Sequence, residues 1–410
     1  MQPHPTDIVC LFDTHDRVTF CAESKHVPFP GVEDFAGEWL ETAHWPNRPV
    51  SFAGKKVAVV GTGSSGVQAI TEIAQEAESL HVFHRTPNYV VPSQKSPLDI
   101  EKYERLASDL PGLWSEVNQT PAGYLLPVGQ LPATDLTPAQ QRERMQIQWD
   151  FGGLAMNYCF PDQKTDLATN ELVSDFVREK IKETVLDAEK FDILEPKDYP
   201  IGTRRLAVCN GYYESYNRAN VNLVDLKRDQ IQKITRTGIQ TSDATYEFDV
   251  IVSALGFEAF TGPIDAIEIQ GVDPDVTIKQ LWAAGPSCYL GLMVPNFPNL
   301  YFLTGPGSPS VLANFNVHNV YHVDYVAEMM REMERNGHAS AQAQVQDHEA
   351  YKELTQRYTG DLLRRKVNNY MVHVNEDGSR FFVPFAGGWQ TYVDLLTKVA
   401  AEGYPGILFN

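Results

Sequence analysis

Apolar positions along the chain fall into two periods. "KKVAVV" (Lys55 to Val60) and "LHVFHR" (Leu80 to Arg85) are short runs rich in β-branched and aromatic residues, the pattern of strands buried in a parallel sheet. Between them, "VQAITEIAQEAE" places Val67, Ile70, Ile73 and Ala74 on one helical face. Strand, helix and strand in this order predict one βαβ unit, of the kind that opens a dinucleotide-binding domain. From about residue 98 the period is helical, in "LDIEKYERLASDLPGLW", "TPAQQRERMQIQWDFGGLAMNY" and "NELVSDFVREKIKETVLDAEKF". The Thr-Pro before Ala139 suits a helix start. Strand patterns return in "VNLVDL", "IQKIT" and "EFDVIVSAL", and a further helix is predicted around "NVYHVDYVAEMMREMERNG". "HVPFPGVEDF" reads as an extended linker.

The turn inside the βαβ unit is "GTGSSG". A lone GxGxxG says little; here a strand precedes it and an amphipathic helix follows. Gly61 would allow the tight turn, Gly63 the approach of a pyrophosphate, and Gly66 the packing of helix on strand. Gly61, Thr62, Gly63, Ser64, Ser65 and Gly66 therefore form a candidate phosphate cradle at a helix N-terminus. The alternative is a structural turn with no ligand. NAD sites usually carry an acidic residue at the end of the second strand, whereas this chain has His84-Arg85-Thr86. A guanidinium there suits a ribose 2'-phosphate, so the pattern favours NADP(H) over NAD(H). A solvated strand-end charge is the alternative for Arg85.

Length, charge and cysteine usage narrow the class. The 410 residues suggest two or three domains, and a 43% apolar fraction allows a large core. A formal net charge of -19 argues against a general nucleic-acid binder, which needs clustered Lys and Arg. Five scattered cysteines with no CxxC spacing indicate neither a disulfide framework nor a zinc site. No apolar run approaches a membrane span, and the expected location is cytoplasmic. The pair His318 and His322 has the i,i+4 spacing of metal ligands. It lacks an HExxH glutamate and a third ligand, which favours a structural polar network and no metal. "GPGSPS" (Gly305 to Ser310) lacks the Lys-Ser/Thr ending of a P-loop, and no G-x-S-x-G elbow is present.

Several stretches together resemble the Baeyer–Villiger monooxygenases, flavin enzymes that insert oxygen beside a ketone. The resemblance rests on "FAGEWLETAHWP", "GTGSSGVQ", "VFHRTPNYVVP", "YPIGTRRL", "GYYESYNRANVNLVD", "DVIVSALGF", "FPNLYFLTGPGSPSVLAN" and "AAEGYPGILF", in that order. It implies that NADPH reduces FAD and that the oxygen so activated attacks a substrate carbonyl. By this resemblance Arg205 matches the arginine that stabilises negative charge developing during oxygen insertion. Arg204 matches a lysine that helps to hold the 2'-phosphate beside Arg85, and Gln68 and Thr86 match further NADP contacts. Ser310, Val311 and Leu312 match a loop lining the substrate pocket.

Departures from the family pattern are expected to matter. Glu41 stands where the signature F-x-G-x-x-x-H-x-x-x-W-P has histidine, Leu255 interrupts an "ATG", and Asn369 precedes Tyr370 where tryptophan is expected. No GxGxxG precedes Gly61, so the N-terminal FAD-binding segment is expected to be missing and FAD binding doubtful unless a partner chain supplies it.

The resulting expectation is an α/β fold. Residues 1–50 would be a linker and FAD-domain remnant, 51–97 and 199–260 the two NADP-binding parts, 98–198 a helical insertion, and 261–410 the C-terminal FAD-domain remnant. Three functions stay open. One is a redox-neutral step on a carbonyl-containing natural product, with Arg205 as oxyanion stabiliser and Glu41 as acid or base. Another is a working monooxygenase whose FAD half comes from another chain. The last is a non-catalytic partner subunit. A homodimer, or association with a FAD-containing relative, accompanies these readings.

Overall fold

The computed structural model describes residues 9–11, 24–95 and 97–410. The "FCAES" motif, apart from Ser24, and most of the N-terminal stretch ahead of it lie outside the described residues. Two compact units are present: residues 24–95 with 126–257, and residues 9–11, 97–125 and 258–410. This division differs from the expected one at two places. The stretch 98–198 is not a single insertion, because 98–125 groups with one unit and 126–198 with the other. Residues 24–50 are not a separate linker, because Glu38–Glu41 is a strand of the first unit's sheet.

That sheet has five strands, all parallel, in the spatial order Glu38–Glu41, Val250–Ser253, Lys56–Val60, Ser79–His84, Val221–Asp225. Val57 to Val60 and Val250 to Val252 are buried, as strands covered on both faces should be. On one face lies the Ser64–Glu76 helix, which buries the predicted stripe Val67, Ile70, Ile73 and Ala74. An antiparallel meander of Ile231–Thr235, Gly238–Thr241 and Thr245–Glu247 contributes Ile234 and Ile239 to a cluster with Ala58, Val60, Phe83, Phe248 and Ile251. The "HVPFPGVEDF" stretch folds onto this cluster instead of extending. Phe29, Val32 and Phe35 pack against it, and the Ile234 amide donates to the Pro30 carbonyl at 2.9 Å.

Helices of the same unit start as their sequences dictate. Pro138–Phe151 opens on a capping box in which Thr137 and Gln140 exchange bonds, with Pro138 at the first helical position. Leu167–Thr184 is capped by the Asp166 carboxylate.

The second unit is built on the 22-residue helix Phe315–Asn336 and the helices Val345–Arg357 and Trp389–Ala401. Their core includes Met329, Tyr301, Trp389, Tyr392 and Leu396. The Val9–Leu11 strand pairs in parallel with Leu300–Phe302. Ile100–Ala107 and Leu110–Asn118 bury no residue. No described helix is long and apolar enough to cross a membrane.

Candidate functional site

Open parallel sheets bind ligands at the carboxyl ends of their strands, where the strand order reverses. In this sheet the chain leaves the central Lys56–Val60 strand toward Ser79–His84 on one side, while Val250–Ser253 closes in on the other. The "GTGSSG" turn sits at that reversal. Gly61 has φ +105°, and a β-carbon on it would fall 2.5 Å from the Ala254 carbonyl oxygen. A β-carbon on Gly66 would collide with the Gly61 carbonyl. Nothing lies within 4 Å of the β-carbon position of Gly63, so the backbone there is open. Gly61 thus makes the tight turn and Gly66 lets the helix close on the strand, while the Gly63 backbone is left open.

Gly63 is also the N-cap of Ser64–Glu76, and no side chain caps that helix. Its first amides, on Ser64, Ser65 and Gly66, are therefore free to meet an anion, and the helix dipole favours one. Thr62 is buried, with its hydroxyl 3.1 Å from Nδ1 of His84 and 3.4 Å from the Thr86 carbonyl. These two contacts bracket Arg85, which is exposed and has no ion-pair partner among the described residues. Burial lowers the His84 pKa to about 4, so its ring is neutral. Gln68 is exposed on the first turns of the helix.

The arginine pair approaches through a second connection. Val90–Val91 pairs in parallel with Ala207–Val208, which draws the "TRR" loop beside the segment after Arg85. Arg204 places its guanidinium 4.6 Å from the ring centroid of Tyr199. The Tyr199 hydroxyl donates to the Pro87 carbonyl at 2.8 Å. Arg204 Nε is buried without a hydrogen-bond partner, while Arg205 is exposed and has no ion pair among the described residues. Sequence reasoning missed Tyr199 and His84. The signal for Tyr199 was an aromatic five positions before an arginine. For His84 it was a histidine at a buried strand end.

Glu41 also stands at the carboxyl edge of the sheet, in register with Ser253, whose other neighbour is Val60. Two strand spacings put it about 10 Å from the glycine strand. Its carboxylate accepts from Trp39 Nε1 at 3.3 Å and pairs with His44 Nδ1 at 3.0 Å. Neither Arg204 nor Arg205 pairs with it.

In the other unit, Ser310–Leu312 is a short 3-10 turn, and Ser310 has φ +45°. Ser310 is fully buried with an unpartnered hydroxyl, and Val311 and Leu312 pack against Phe260, Met371 and Phe382. The "GPGSPS" loop before it is clamped: Tyr351 donates to the Gly307 carbonyl at 2.7 Å, and the Phe385 amide to that of Ser308. His318 and His322 are both buried and form a polar network. His322 Nδ1 accepts from the Thr304 amide at 3.0 Å, so its Nε2 carries the proton and donates to the Tyr392 hydroxyl at 2.6 Å, with His318 Nε2 3.0 Å away. Among the described residues no cluster of three metal-ligating side chains exists.

The glycine turn, the helix end that no side chain caps, and Arg85 and Arg204 at the neighbouring strand ends have the form of a dinucleotide-binding turn. The family profile described as flavin-binding monooxygenase-like matches residues 10–106. The chain is 35% identical to the 2-oxo-Delta(3)-4,5,5-trimethylcyclopentenylacetyl-CoA monooxygenase of Pseudomonas putida, over 93% of this chain and 72% of that one. It is 32% identical to the cyclopentanone 1,2-monooxygenase of a Comamonas species, over 92% and 69%. Among solved structures, a steroid monooxygenase bound to NADP matches with TM-score 0.90 and 37% identity, over 96% of this chain and 74% of that one. An OTEMO complex with FAD and NADP matches with TM-score 0.92 and 32% identity, over the same shares. The chain belongs to the Baeyer–Villiger flavin monooxygenase family. The expectation that FAD binding is doubtful finds no support among these relatives, since the OTEMO structure holds FAD together with NADP.

Proposed function

We propose that this chain takes part in NADPH- and flavin-dependent oxygenation of a small carbonyl compound. The observation that carries the reading is the open Gly63 backbone at an uncapped helix N-terminus, flanked by Arg85 and by the buried, unpartnered Nε of Arg204. An orphaned guanidinium donor is costly unless a ligand oxygen meets it, and a 2'-phosphate supplies one. The coenzyme pyrophosphate would rest on the amides of Ser64, Ser65 and Gly66, with Arg85 and Arg204 at the 2'-phosphate and Gln68 and Thr86 as further contacts.

A bound flavin would pass electrons from NADPH to dioxygen, the source of the inserted oxygen atom. Arg205, exposed and without an internal ion pair, is the residue free to neutralise negative charge developing at the carbonyl. Ser310, Val311 and Leu312 are assigned to the substrate pocket.

The redox-neutral reading depends on Glu41 as an acid or base. Its engagement by Trp39 and His44 supports a role in holding the strand end instead. The test is to add NADPH and a cyclic ketone to the purified, flavin-supplemented protein. Ester formation with matched NADPH consumption supports the reading. Turnover of the ketone without NADPH overturns it.

A further inference from the structure

Arg204 does not lie loose on the surface. Its guanidinium carbon lies over the Tyr199 ring, 4.6 Å from the centroid. This cation–π contact holds the guanidinium at the ring, and the Nε–H is left buried and without an acceptor. Tyr199 is itself held. It is buried and meets Tyr89 edge to face at 5.6 Å. Its hydroxyl donates to the Pro87 carbonyl at 2.8 Å and lies 3.3 Å from Asn88 Oδ1. Burial raises its pKa, so the hydroxyl keeps its proton and remains a donor. Asn88 is gripped from a second side, since the Tyr213 hydroxyl donates to its carbonyl at 2.9 Å.

Tyr199 therefore joins two pieces of chain that are remote in sequence. Above it is Arg204. Beside it is the turn that follows Arg85 and Thr86, already tied to the glycine loop through Thr62. We propose that Tyr199 is a positioning residue for coenzyme selectivity: its ring orients Arg204, and its hydroxyl sets the Arg85 turn, so that both guanidiniums address one phosphate monoester on the ribose. This rests on the NADP(H) reading above.

The test measures binding of NADP+ and of NAD+ by calorimetry, with no turnover needed. Tyr199→Leu should weaken NADP+ by about tenfold, the loss of one oriented charge contact, and change NAD+ by less than about twofold. Tyr199→Phe keeps the ring and should weaken NADP+ by only about threefold. It is also the variant that preserves packing, and equal weakening of both nucleotides by it would overturn the proposal. The Tyr199→Leu/Arg204→Ala double variant should bind NADP+ only about threefold more weakly than Arg204→Ala alone, the share that the hydroxyl carries through the Arg85 turn, because the ring acts through Arg204. Additive losses would overturn the proposal while leaving the coenzyme reading intact. Wild-type protein that binds NAD+ as tightly as NADP+ would overturn both.

Discussion

Gly61 faces the carbonyl oxygen of Ala254 so closely that a β-carbon would stand 2.5 Å from it. The contact joins the end of the first strand of the βαβ unit to the end of the last strand of the sheet. It explains why glycine is needed there whether or not a ligand is present.

Gly61→Ala should destabilise the protein by at least ~2 kcal/mol, through its φ of +105° and the clash together. Urea unfolding checks this. A shift of the midpoint too small to resolve would show that the two strand ends can part.

Gly63→Val separates binding from folding. Gly63 has φ -71° and open space around its β-carbon position, so the variant should melt within a degree or two of the parent. NADP+ affinity should nonetheless fall by about tenfold or more, because the side chain occupies the pyrophosphate approach. Unchanged affinity in a calorimeter would mean the turn is structural only.

Arg85→Ala should weaken NADPH by about tenfold and leave NADH within about twofold. The check is the ratio of the two KM values. A parallel change in both would remove the 2'-phosphate from the role of selecting the coenzyme.

Arg205→Ala should lower kcat for ketone oxygenation by about a hundredfold or more while NADP+ affinity changes little. Preserved turnover would end its assignment as the charge stabiliser.

Buried neutral histidines make the fold acid-labile. His84 and His322 have pKa values lowered by burial to about 4 and about 3, against an ordinary value near 6.5 in the unfolded chain. Below pH 6.5 the unfolded chain binds protons that the folded one refuses, so stability is fully present above that pH. It falls as pH drops toward 4, by a few kcal/mol in order of magnitude. Denaturation midpoints from pH 8 to 4.5 test the sign, and a midpoint that rises on acidification would contradict it.

The sheet's first two central strands and the helix between them were legible because their apolar period is local. Val67, Ile70, Ile73 and Ala74 are buried as the stripe requires. The packing roles of Gly61 and Gly66 were legible because each depends on neighbours a few residues away or on one predictable strand. The position of Glu38–Glu41 was not. Only pairing with Val250–Ser253, more than 200 residues later, makes a strand of it. Tyr199 escaped notice for the same reason: its importance lies in Pro87 and Arg204, which no local period connects. At Glu41 the sequence raised the question of a lost histidine. The structure places His44, three residues on, against the carboxylate.

The Lys56 amide donates to the Asp249 carboxylate across 193 positions of chain, at the edge where the last strand slots into the sheet. A ribosome adding about 5–20 residues each second needs about 10–40 s to deliver that partner. For all of that time the "VAVV" run has one edge without its neighbour, and a bare apolar edge recruits other chains. Folding of this strand therefore competes with association between chains during synthesis, and growth at lower temperature should raise the folded yield.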